Sequence, residues 1–327
     1  MIITQTPFRI SFFGGGTDYP DYFEKYGGGA VIGTAIDHSA YLSVARFYSK
    51  LFDYSIRIAY RKVECVRTID EIEHAPFREC LRHCGITGDV EINYTGELPS
   101  FSGLGSSSSF VVGLLNALHA FQGKVRRPLD LAIEAILLEQ DVLKEAVGCQ
   151  DQVFAALGGF RLVEFRRRDD IVVHSVPMKP NRLEELEGQL LLLHTGIKRR
   201  AADVANHYIR KLEEQRKQLV RMREMVDEGY AILTGGGELT KFGALLDEAW
   251  MLKRSLDPNI SNPEIESIYR RGVEAGALGG KLLGAGGGGC ILFFVPQERR
   301  KAVRDSLPEL TEIPIQINFP GSHIIHA

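Results

Sequence analysis

Apolar and polar residues follow different patterns in the two halves of the chain. In the first half, runs rich in isoleucine, valine and aromatic residues predict β-strands, and apolar residues at helical spacing predict helices. A proline in the first turn and a glycine after the end support the second of these helices. The strands are expected at residues 1–13, 30–47 and 90–94, and the helices at residues 107–121 and 128–146.

The second half combines short predicted strands with long, charge-rich helical stretches. Its Ser-Asn-Pro-Glu sequence at residues 261–264 has the capping residue, proline and acid that mark the start of a helix. Such segregated elements favour an α+β fold, with this half forming a layer beside an N-terminal α/β domain. The strands are expected at residues 159–165, 171–176, 189–194, 290–295 and 313–319, and the helices at residues 201–233 and 239–254.

Length, charge and composition limit the classes of function. The chain has 327 residues, which is long for one core, so we expect two domains, residues 1–167 and 168–327. A net charge of −3 is untypical of proteins that bind nucleic acids or membrane surfaces. The five cysteines lack paired zinc spacing, and no apolar run approaches the roughly 20 residues of a membrane span. We therefore expect a cytosolic protein with a small-molecule partner.

The segment at residues 99–109, here called the serine loop, lies between a predicted strand and a predicted helix. Its glycines allow close approach of the backbone to a ligand, and the N-terminus of the following helix favours phosphate. The alternative is a flexible linker with a serine N-cap, but a linker is unusual between an apolar strand and an apolar helix. The expected phosphate-binding residues are Gly103, Leu104, Gly105, Ser106, Ser107 and Ser108.

A second glycine-rich segment, residues 281–290, is here called the tetraglycine loop. It contains the spacing G-x-G-x-x-G, but a strand rather than a helix is predicted after it, which excludes a dinucleotide-binding fingerprint. A hairpin bend is the structural alternative, although a bend rarely needs four consecutive glycines. We expect the loop to contact a bound ligand through Gly284, Gly286 and Gly287.

These two loops, together with residues 7–19, resemble the three signature motifs of the GHMP kinases in the order and spacing of that superfamily. The superfamily includes galactokinase, homoserine kinase, mevalonate kinase and phosphomevalonate kinase. The resemblance implies a two-domain GHMP-kinase-like fold, with an N-terminal ATP-binding domain and a C-terminal domain. It also implies phosphoryl transfer from ATP, with Mg²⁺ as the cofactor.

The resemblance assigns roles to individual residues. Asp151 matches the catalytic aspartate of the family, which accepts the proton of the substrate hydroxyl; the alternative is a helix N-cap. Arg9 matches the basic residue of the first motif, placed to pair with Asp151 and neutralise charge; the alternative is a solvent-facing strand arginine. Glu139 matches the acid that holds Mg²⁺ with a serine, here Ser107 or Ser106; the alternative is a solvated helix glutamate.

The expected substrate is a sugar phosphate. Residues 12–20, 194–196 and 260–263 resemble the D-glycero-D-manno-heptose 7-phosphate kinases, which phosphorylate the anomeric hydroxyl. Asp18, beside Thr17, matches an aspartate that binds sugar hydroxyls, although an Asx-turn is the alternative. Gly15 and Gly16 replace a glutamate and a histidine of the galactokinase branch, leaving space for a longer, anionic substrate.

The phosphate group of such a substrate is negatively charged, so we expect cationic side chains in its binding site. The segment Lys198, Arg199 and Arg200 is the best candidate, with both arginines placed to bind a phosphate; a solvated helix start is the alternative. Two alternative functions stay open. One is a kinase for unphosphorylated fucose or galactose, and the other is a non-catalytic sensor that binds ATP or a sugar. A homodimer formed through the charged helices also stays open.

Overall fold

The computed structural model describes residues 1–197 and 213–327. The predicted cationic segment, Lys198, Arg199 and Arg200, lies outside the described residues, as does the first part of the helix predicted at 201–233. No helix in the described ranges combines the length and the apolar character needed to cross a bilayer.

Residues from both ends of the chain form a large sheet. Its main path runs β12-β1-β2-β5-β3-β4, and the long strand β2 also pairs with β6, which pairs with β7. All of these pairings are antiparallel except that of β3 with β5. The strands are β1 (Ile2–Phe13), β2 (Gly29–Arg46), β3 (Ile56–Ala59), β4 (Val63–Val66), β5 (Val90–Gly96), β6 (Phe160–Arg167), β7 (Asp170–Ser175) and β12 (His323–His326).

A smaller antiparallel sheet belongs to the second half of the chain. Its order is β11-β8-β10-β9, and the tetraglycine loop joins its strands β9 and β10. The central strand β10 is entirely buried, as its unbroken run of apolar residues predicts. The strands are β8 (Leu190–His194), β9 (Gly279–Leu282), β10 (Cys290–Phe294) and β11 (Thr311–Glu312).

Helices cover both sheets. Within the described residues, they are α1 (Pro20–Tyr26), α2 (Ala75–Cys84), α3 (Ser106–Phe121), α4 (Pro128–Leu137), α5 (Gln150–Leu157), α6 (Pro180–Gln189), α7 (Arg216–Thr234), α8 (Thr240–Leu256), α9 (Pro263–Glu274) and α10 (Arg300–Ser306). The predicted helix start at residues 261–264 is confirmed, because the Asn262 side chain accepts a hydrogen bond from the Ile265 N–H at 3.0 Å.

A bulge in β1 decides which way Arg9 points. The register with β2 shifts between Pro7 and Arg9. Before the shift, Thr4 faces α3 and bonds to Gly113 O at 3.1 Å. After it, Arg9 bonds to Asp151 of α5, while Phe12 packs against Phe242 of α8 with ring centroids 5.2 Å apart. Such bulges re-aim side chains beside functional sites.

Two predicted elements are wrong in extent. The helix predicted at 128–146 ends as α4 at Leu137 and continues as one π-helical turn, Leu138–Val142. Residues 313–319 form no strand and make only an isolated bridge between Ile317 and Ile36. The neighbouring Pro314 and Pro320 lack the N–H that a strand ladder needs. The division of the chain at residues 167 and 168 stays a prediction, and it falls within the β6–β7 hairpin.

Candidate active site

The serine loop and the tetraglycine loop are in direct backbone contact. The Cys290 N–H donates to Ser102 O at 2.8 Å. A Cβ atom at Gly103 would lie 2.6 Å from Leu283 O, and one at Gly284 would lie 2.7 Å from the Gly103 Cα atom. Both positions therefore need glycine, and two segments far apart in sequence form one wall.

An arginine–aspartate pair lies beside this wall. The Arg9 guanidinium donates two hydrogen bonds of 2.7 Å to the Asp151 carboxylate and one of 2.6 Å to Gly103 O. The Arg9 side chain is 6% exposed and that of Asp151 is 25% exposed. The carboxylate thus keeps one side open to solvent while the arginine fixes its orientation.

The structure rejects the alternative interpretations of these two residues. Asp151 is the second residue of α5, whose N-cap is Cys149, so Asp151 is not the cap. Arg9 is buried and paired, so it is not a solvent-facing strand residue. A carboxylate in the first turn of a helix is favoured by the partial positive charge of the helix N-terminus.

Helix α3 begins next to the Arg9–Asp151 pair. Its N-cap is Gly105, with φ +76°, and a Cβ there would lie 3.1 Å from the Arg9 Cγ. Glycine has no side chain to cap the helix, which leaves the first-turn amides of Ser106 and Ser107 for a ligand such as phosphate. Leu104 contributes only backbone, because its side chain is in the core and its carbonyl accepts from the Arg9 N–H at 3.0 Å.

The hydroxyl group that contacts Glu139 belongs to Ser108. Its Oγ lies 2.9 and 3.2 Å from the two carboxylate oxygens, and Gln152 Nε2 donates to the same carboxylate. Ser107, the predicted partner, is exposed, because each step along a helix turns the side chain by about 100°. The role of Ser107 or Ser106 as a partner of Glu139 at Mg²⁺ stays a prediction, and the solvated-glutamate alternative is wrong because Glu139 is fully buried.

The surroundings of Glu139 fit a magnesium ion. Burial raises the pKa of Glu139 to about 8, against the opposing effects of its bonds to Gln152 and Ser108. The Gln152 Oε1 atom is buried without a hydrogen-bond partner. Carboxylate, hydroxyl and amide oxygens are ligands that Mg²⁺ accepts, and a cation would favour the ionised carboxylate.

The metal-free protein should lose stability through Glu139 as pH rises. Because the folded-state pKa lies above the usual 4.5, this contribution is complete below about pH 4.5 and is lost as pH rises through about 8. Glu139→Gln should therefore gain about 2 kcal/mol of unfolding free energy relative to wild type between pH 6 and pH 8. Urea denaturation in EDTA measures this difference. Glu184→Gln, at an exposed position, is the control. A difference in unfolding free energy between Glu139→Gln and wild type that does not change with pH would contradict the expectation.

Asp18 is buried close enough to Asp151 for the two carboxylates to interact. It accepts hydrogen bonds of 2.9 Å from the Gly16 N–H and from Gln150 Nε2, so it bonds back to the preceding glycine turn and also faces α5. The Asx-turn alternative is wrong, because the residue two positions after Asp18 is Pro20, which has no N–H. Burial raises the pKa of the Asp18 carboxyl, which the Gly16 bond opposes and the charge of Asp151 reinforces. Gly148 leaves room for it, since a Cβ there would lie 2.0 Å from Asp18 Oδ2.

Thr17 does not contribute a free hydroxyl. The residue is fully buried, and its Oγ1 lies 2.8 Å from Gly14 O and 2.9 Å from Ala30 O. Gly14 itself has φ +85°, and a Cβ there would lie 1.9 Å from Ala30 O. The structure therefore corrects the substrate-binding prediction for Thr17, whose side chain holds the turn before Asp18.

Gly15 faces open space, whereas Gly16 does not. A Cβ at Gly15 would find its nearest atoms at 3.8 and 3.9 Å, on Gln150 and Ser11. Gly16 is buried with φ +102°, so its backbone alone disfavours a side chain. Ser11 Oγ and Gln150 Oε1 are buried without hydrogen-bond partners. Unsatisfied polar atoms around Gly15 are suited to a ligand with several hydroxyl groups.

The tetraglycine loop is packed against protein over much of its length. The Gly287 N–H donates to Ile260 O at 2.9 Å, and a Cβ at Gly286 would lie 2.8 Å from the Ile260 Cα. Gly284 and Ala285 keep exposed surface. The predicted ligand contact is therefore corrected for Gly286 and Gly287, whose glycines are needed for close backbone packing, while Gly284 remains accessible.

Several polar residues at this site are not among those predicted from the sequence. Gln150 and Gln152 flank Asp151, and two polar amides beside a catalytic-type aspartate were a usable signal. Ser11 had no such signal, because a serine in a strand is common on protein surfaces.

Comparison with known proteins identifies the family. Two family models match the chain, the GHMP kinases N terminal domain over residues 65–159 and the GHMP kinases C terminal domain over residues 230–312, which together exceed half its length. The chain therefore belongs to the GHMP kinases. The predicted family, two-domain fold and class of enzyme, a sugar kinase, are confirmed.

Individual relatives have related activities. A D-glycero-alpha-D-manno-heptose 7-phosphate kinase of Campylobacter jejuni is 28% identical over 308 residues, covering 91% of each chain. The L-fucokinase/L-fucose-1-P guanylyltransferase of Bacteroides fragilis is 26% identical over 92% of this chain but only 35% of its own length. The crystal structure of a D-glycero-D-manno-heptose 1-phosphate kinase from Bacteroides thetaiotaomicron superposes with a TM-score of 0.80 at 23% identity, over 100% of this chain and 99% of that one.

Proposed function

We propose that the protein transfers the terminal phosphoryl group of ATP to the anomeric C1 hydroxyl of D-glycero-D-manno-heptose 7-phosphate, forming the 1,7-bisphosphate. The main support is the Arg9–Asp151 pair, which lies against the wall formed by the serine and tetraglycine loops. The similarity to the Campylobacter jejuni kinase over 91% of the chain supports the choice of sugar.

In this proposal, Asp151 orients the sugar hydroxyl and accepts its proton while the oxygen attacks the terminal phosphorus of ATP. The new bond joins that oxygen to phosphorus, the bond from phosphorus to the ADP oxygen breaks, and ADP leaves. Arg9 holds the carboxylate and offsets negative charge on the transferred group. The first-turn amides of α3 bind the nucleotide phosphates.

Glu139, with the oxygen of Gln152 and the hydroxyl of Ser107 or Ser108, would hold Mg²⁺, which when bound offsets charge on the phosphate oxygens. The described residues contain no group of three or more His, Cys, Asp or Glu side chains able to hold a metal. Phosphate oxygens and water would therefore supply the remaining ligands, as is usual for this ion.

In this proposal the sugar binds beside Asp18, Gln150 and Ser11, in the space next to Gly15. Asp18 and Gln150 are bonded to each other, so a sugar hydroxyl meets an oriented acceptor and an unsatisfied amide oxygen. We also propose that the protein works in the cytosol, where ATP is available, and that its domains divide near residue 167.

Arg199 and Arg200 should bind the phosphate of the sugar. Replacing both by alanine should raise KM for the sugar phosphate about tenfold or more, since hydrogen bonds to charged groups contribute about 1.5–3 kcal/mol. KM for ATP should change much less. The exposed pair Arg166 and Arg167, replaced in the same way, is the matched control. An unchanged KM for the sugar phosphate would show that residues other than Arg199 and Arg200 bind its phosphate group.

A substrate panel tests the proposal directly. Purified protein, ATP and Mg²⁺ are incubated with heptose 7-phosphate, fucose, galactose and other hexoses, and ADP release is measured. Turnover of the phosphorylated heptose is expected. Turnover of plain sugars alone would favour the second candidate, a fucose or galactose C1 kinase, which the similarity to the fucokinase supports. Nucleotide binding without any turnover would favour a sensor.

A further inference from the structure

Two lysines lie behind the loops of the site without carboxylate partners. Lys253 Nζ, on α8, donates to Leu282 O at 3.1 Å and to Gly284 O. Lys281 Nζ donates to Ser11 O at 3.0 Å and to Phe12 O at 2.6 Å. Among the ion pairs of residues 1–197 and 213–327, none involves either lysine. Both ammonium groups are thus held by backbone carbonyls alone.

A continuous series of contacts connects Lys253 to the Arg9–Asp151 pair. Lys253 bonds to the carbonyl of Gly284, whose backbone packs against Gly103. The carbonyl of Gly103 in turn accepts a hydrogen bond from Arg9 at 2.6 Å. Lys253 therefore lies at the end of the site formed by the tetraglycine loop, although it belongs to none of the three glycine motifs.

Lys253 also has capacity for a ligand. An ammonium group has three N–H donors, and the two carbonyls use two of them. Lys281 is 5% exposed and bonded to carbonyls of β1, whereas the residue Lys253 is half-buried, as is Gly284 beside it. Of the two lysines, Lys253 is the one that keeps part of its surface, and its ammonium has one donor left.

The local charge favours an anion. Arg9 and Lys281 are cations near Lys253, and Asp18 is a negative group whose charge acts on it. Removal from water and the charge of Arg9 lower the pKa of Lys253 to about 7, while Asp18 opposes this. A bound phosphate would offset the cost of holding these cations together.

We propose that Lys253 binds a phosphate group at the tetraglycine-loop end of the site. The inference rests on the proposed function, because that function brings two phosphorylated ligands to the site. The phosphate can belong to the terminal group of the nucleotide or to the sugar. In either case the ammonium holds the Leu282 and Gly284 carbonyls with two donors and the phosphate with the third.

Lys253→Gln separates charge from loop support, because its amide can still donate to a carbonyl but carries no charge. Lys253→Arg keeps the charge, and Lys241→Gln, at the exposed start of the same helix, is the matched control for loss of a lysine. Calorimetry measures binding of Mg²⁺ with AMP-PNP or ADP, and steady-state kinetics measures KM for phosphorylated and unphosphorylated sugars. Thermal melting shows whether each variant is folded.

If Lys253 binds the terminal nucleotide phosphate, Lys253→Gln should weaken AMP-PNP about tenfold or more and ADP much less. If it binds the sugar phosphate, KM for the phosphorylated sugar should rise by a similar factor, with AMP-PNP affinity and the unphosphorylated sugar unaffected. Lys253→Arg should restore most of either loss, and Lys241→Gln should match wild type.

Three results would overturn the proposal. Lys253→Gln could match wild type in every measurement, or it could weaken all ligands equally with no recovery in Lys253→Arg. Alternatively, Lys253→Gln and Lys253→Met could both fail to fold, which would assign the lysine to the fold alone. Failure of the wild type to bind any nucleotide is a different outcome, since it would reject the proposed kinase function itself.

Discussion

Replacing Asp151 by asparagine should lower kcat by a factor of about 10²–10⁴, the range typical of a lost general base. Asparagine keeps the shape of the side chain, but its amide cannot accept the proton of the sugar hydroxyl. The NH2 group of asparagine is also a hydrogen-bond donor, so the side chain can no longer accept hydrogen bonds from both donors of Arg9. Steady-state kinetics with ATP, Mg²⁺ and the sugar phosphate measures the effect.

Nucleotide binding separates lost chemistry from lost folding in this variant. Asp151 reaches the serine loop only through Arg9, so Asp151→Asn should bind AMP-PNP about as tightly as the wild type. Asp130→Asn is the matched control, because Asp130 belongs to an exposed pair with Arg127 at 2.8 Å. Near-wild-type kcat in Asp151→Asn would show that another group accepts the proton.

Replacing Arg9 by methionine should lower kcat by about 10²–10³, comparable to the loss of one preorganised donor at a site of developing charge. Three interactions disappear together: the two bonds that orient Asp151 and the bond to the Gly103 carbonyl. The charge that offsets the transferred phosphoryl group is lost as well. The same kinetic assay measures the change.

The Arg9 variants need two comparisons. Arg9→Lys keeps the charge but cannot bind the carboxylate with two parallel bonds, so its kcat should lie between those of wild type and Arg9→Met. Arg127→Met, in the exposed pair, should have wild-type kcat. Because Arg9 and Asp151 act as one unit, the double variant should lose less than the product of the two single effects. Independent effects would contradict a shared role.

The parts of the site set by local backbone were predictable from the sequence. Glycine at positions 103 and 105 indicates positive φ before a helix, and both residues have it. The capping sequence before α9 likewise predicted where that helix starts. Arg9 and Asp151 were located through the resemblance of their surrounding motifs, and the structure brings them together.

Other contacts could not be predicted, because the direction of a side chain depends on the fold. The serine run at 106–108 offers three similar hydroxyls, and only the phase of α3 against Glu139 selects Ser108. Thr17 and Asp18 are adjacent, yet one packs inward on Gly14 and the other faces Gln150. Neighbouring positions in a chain do not reveal which of them points toward a cavity.

The sequence by itself determined strands β1, β2 and β5, helix α3, the glycine loops and the family, because these depend on local conformation and on motif spacing. Only the tertiary structure decided which polar groups meet. The bulge in β1 turns Arg9 toward α5, and the packing of α8 on β9 brings Lys253 to the tetraglycine loop. Contacts between residues far apart in sequence depend on how the elements pack, and no local pattern encodes that.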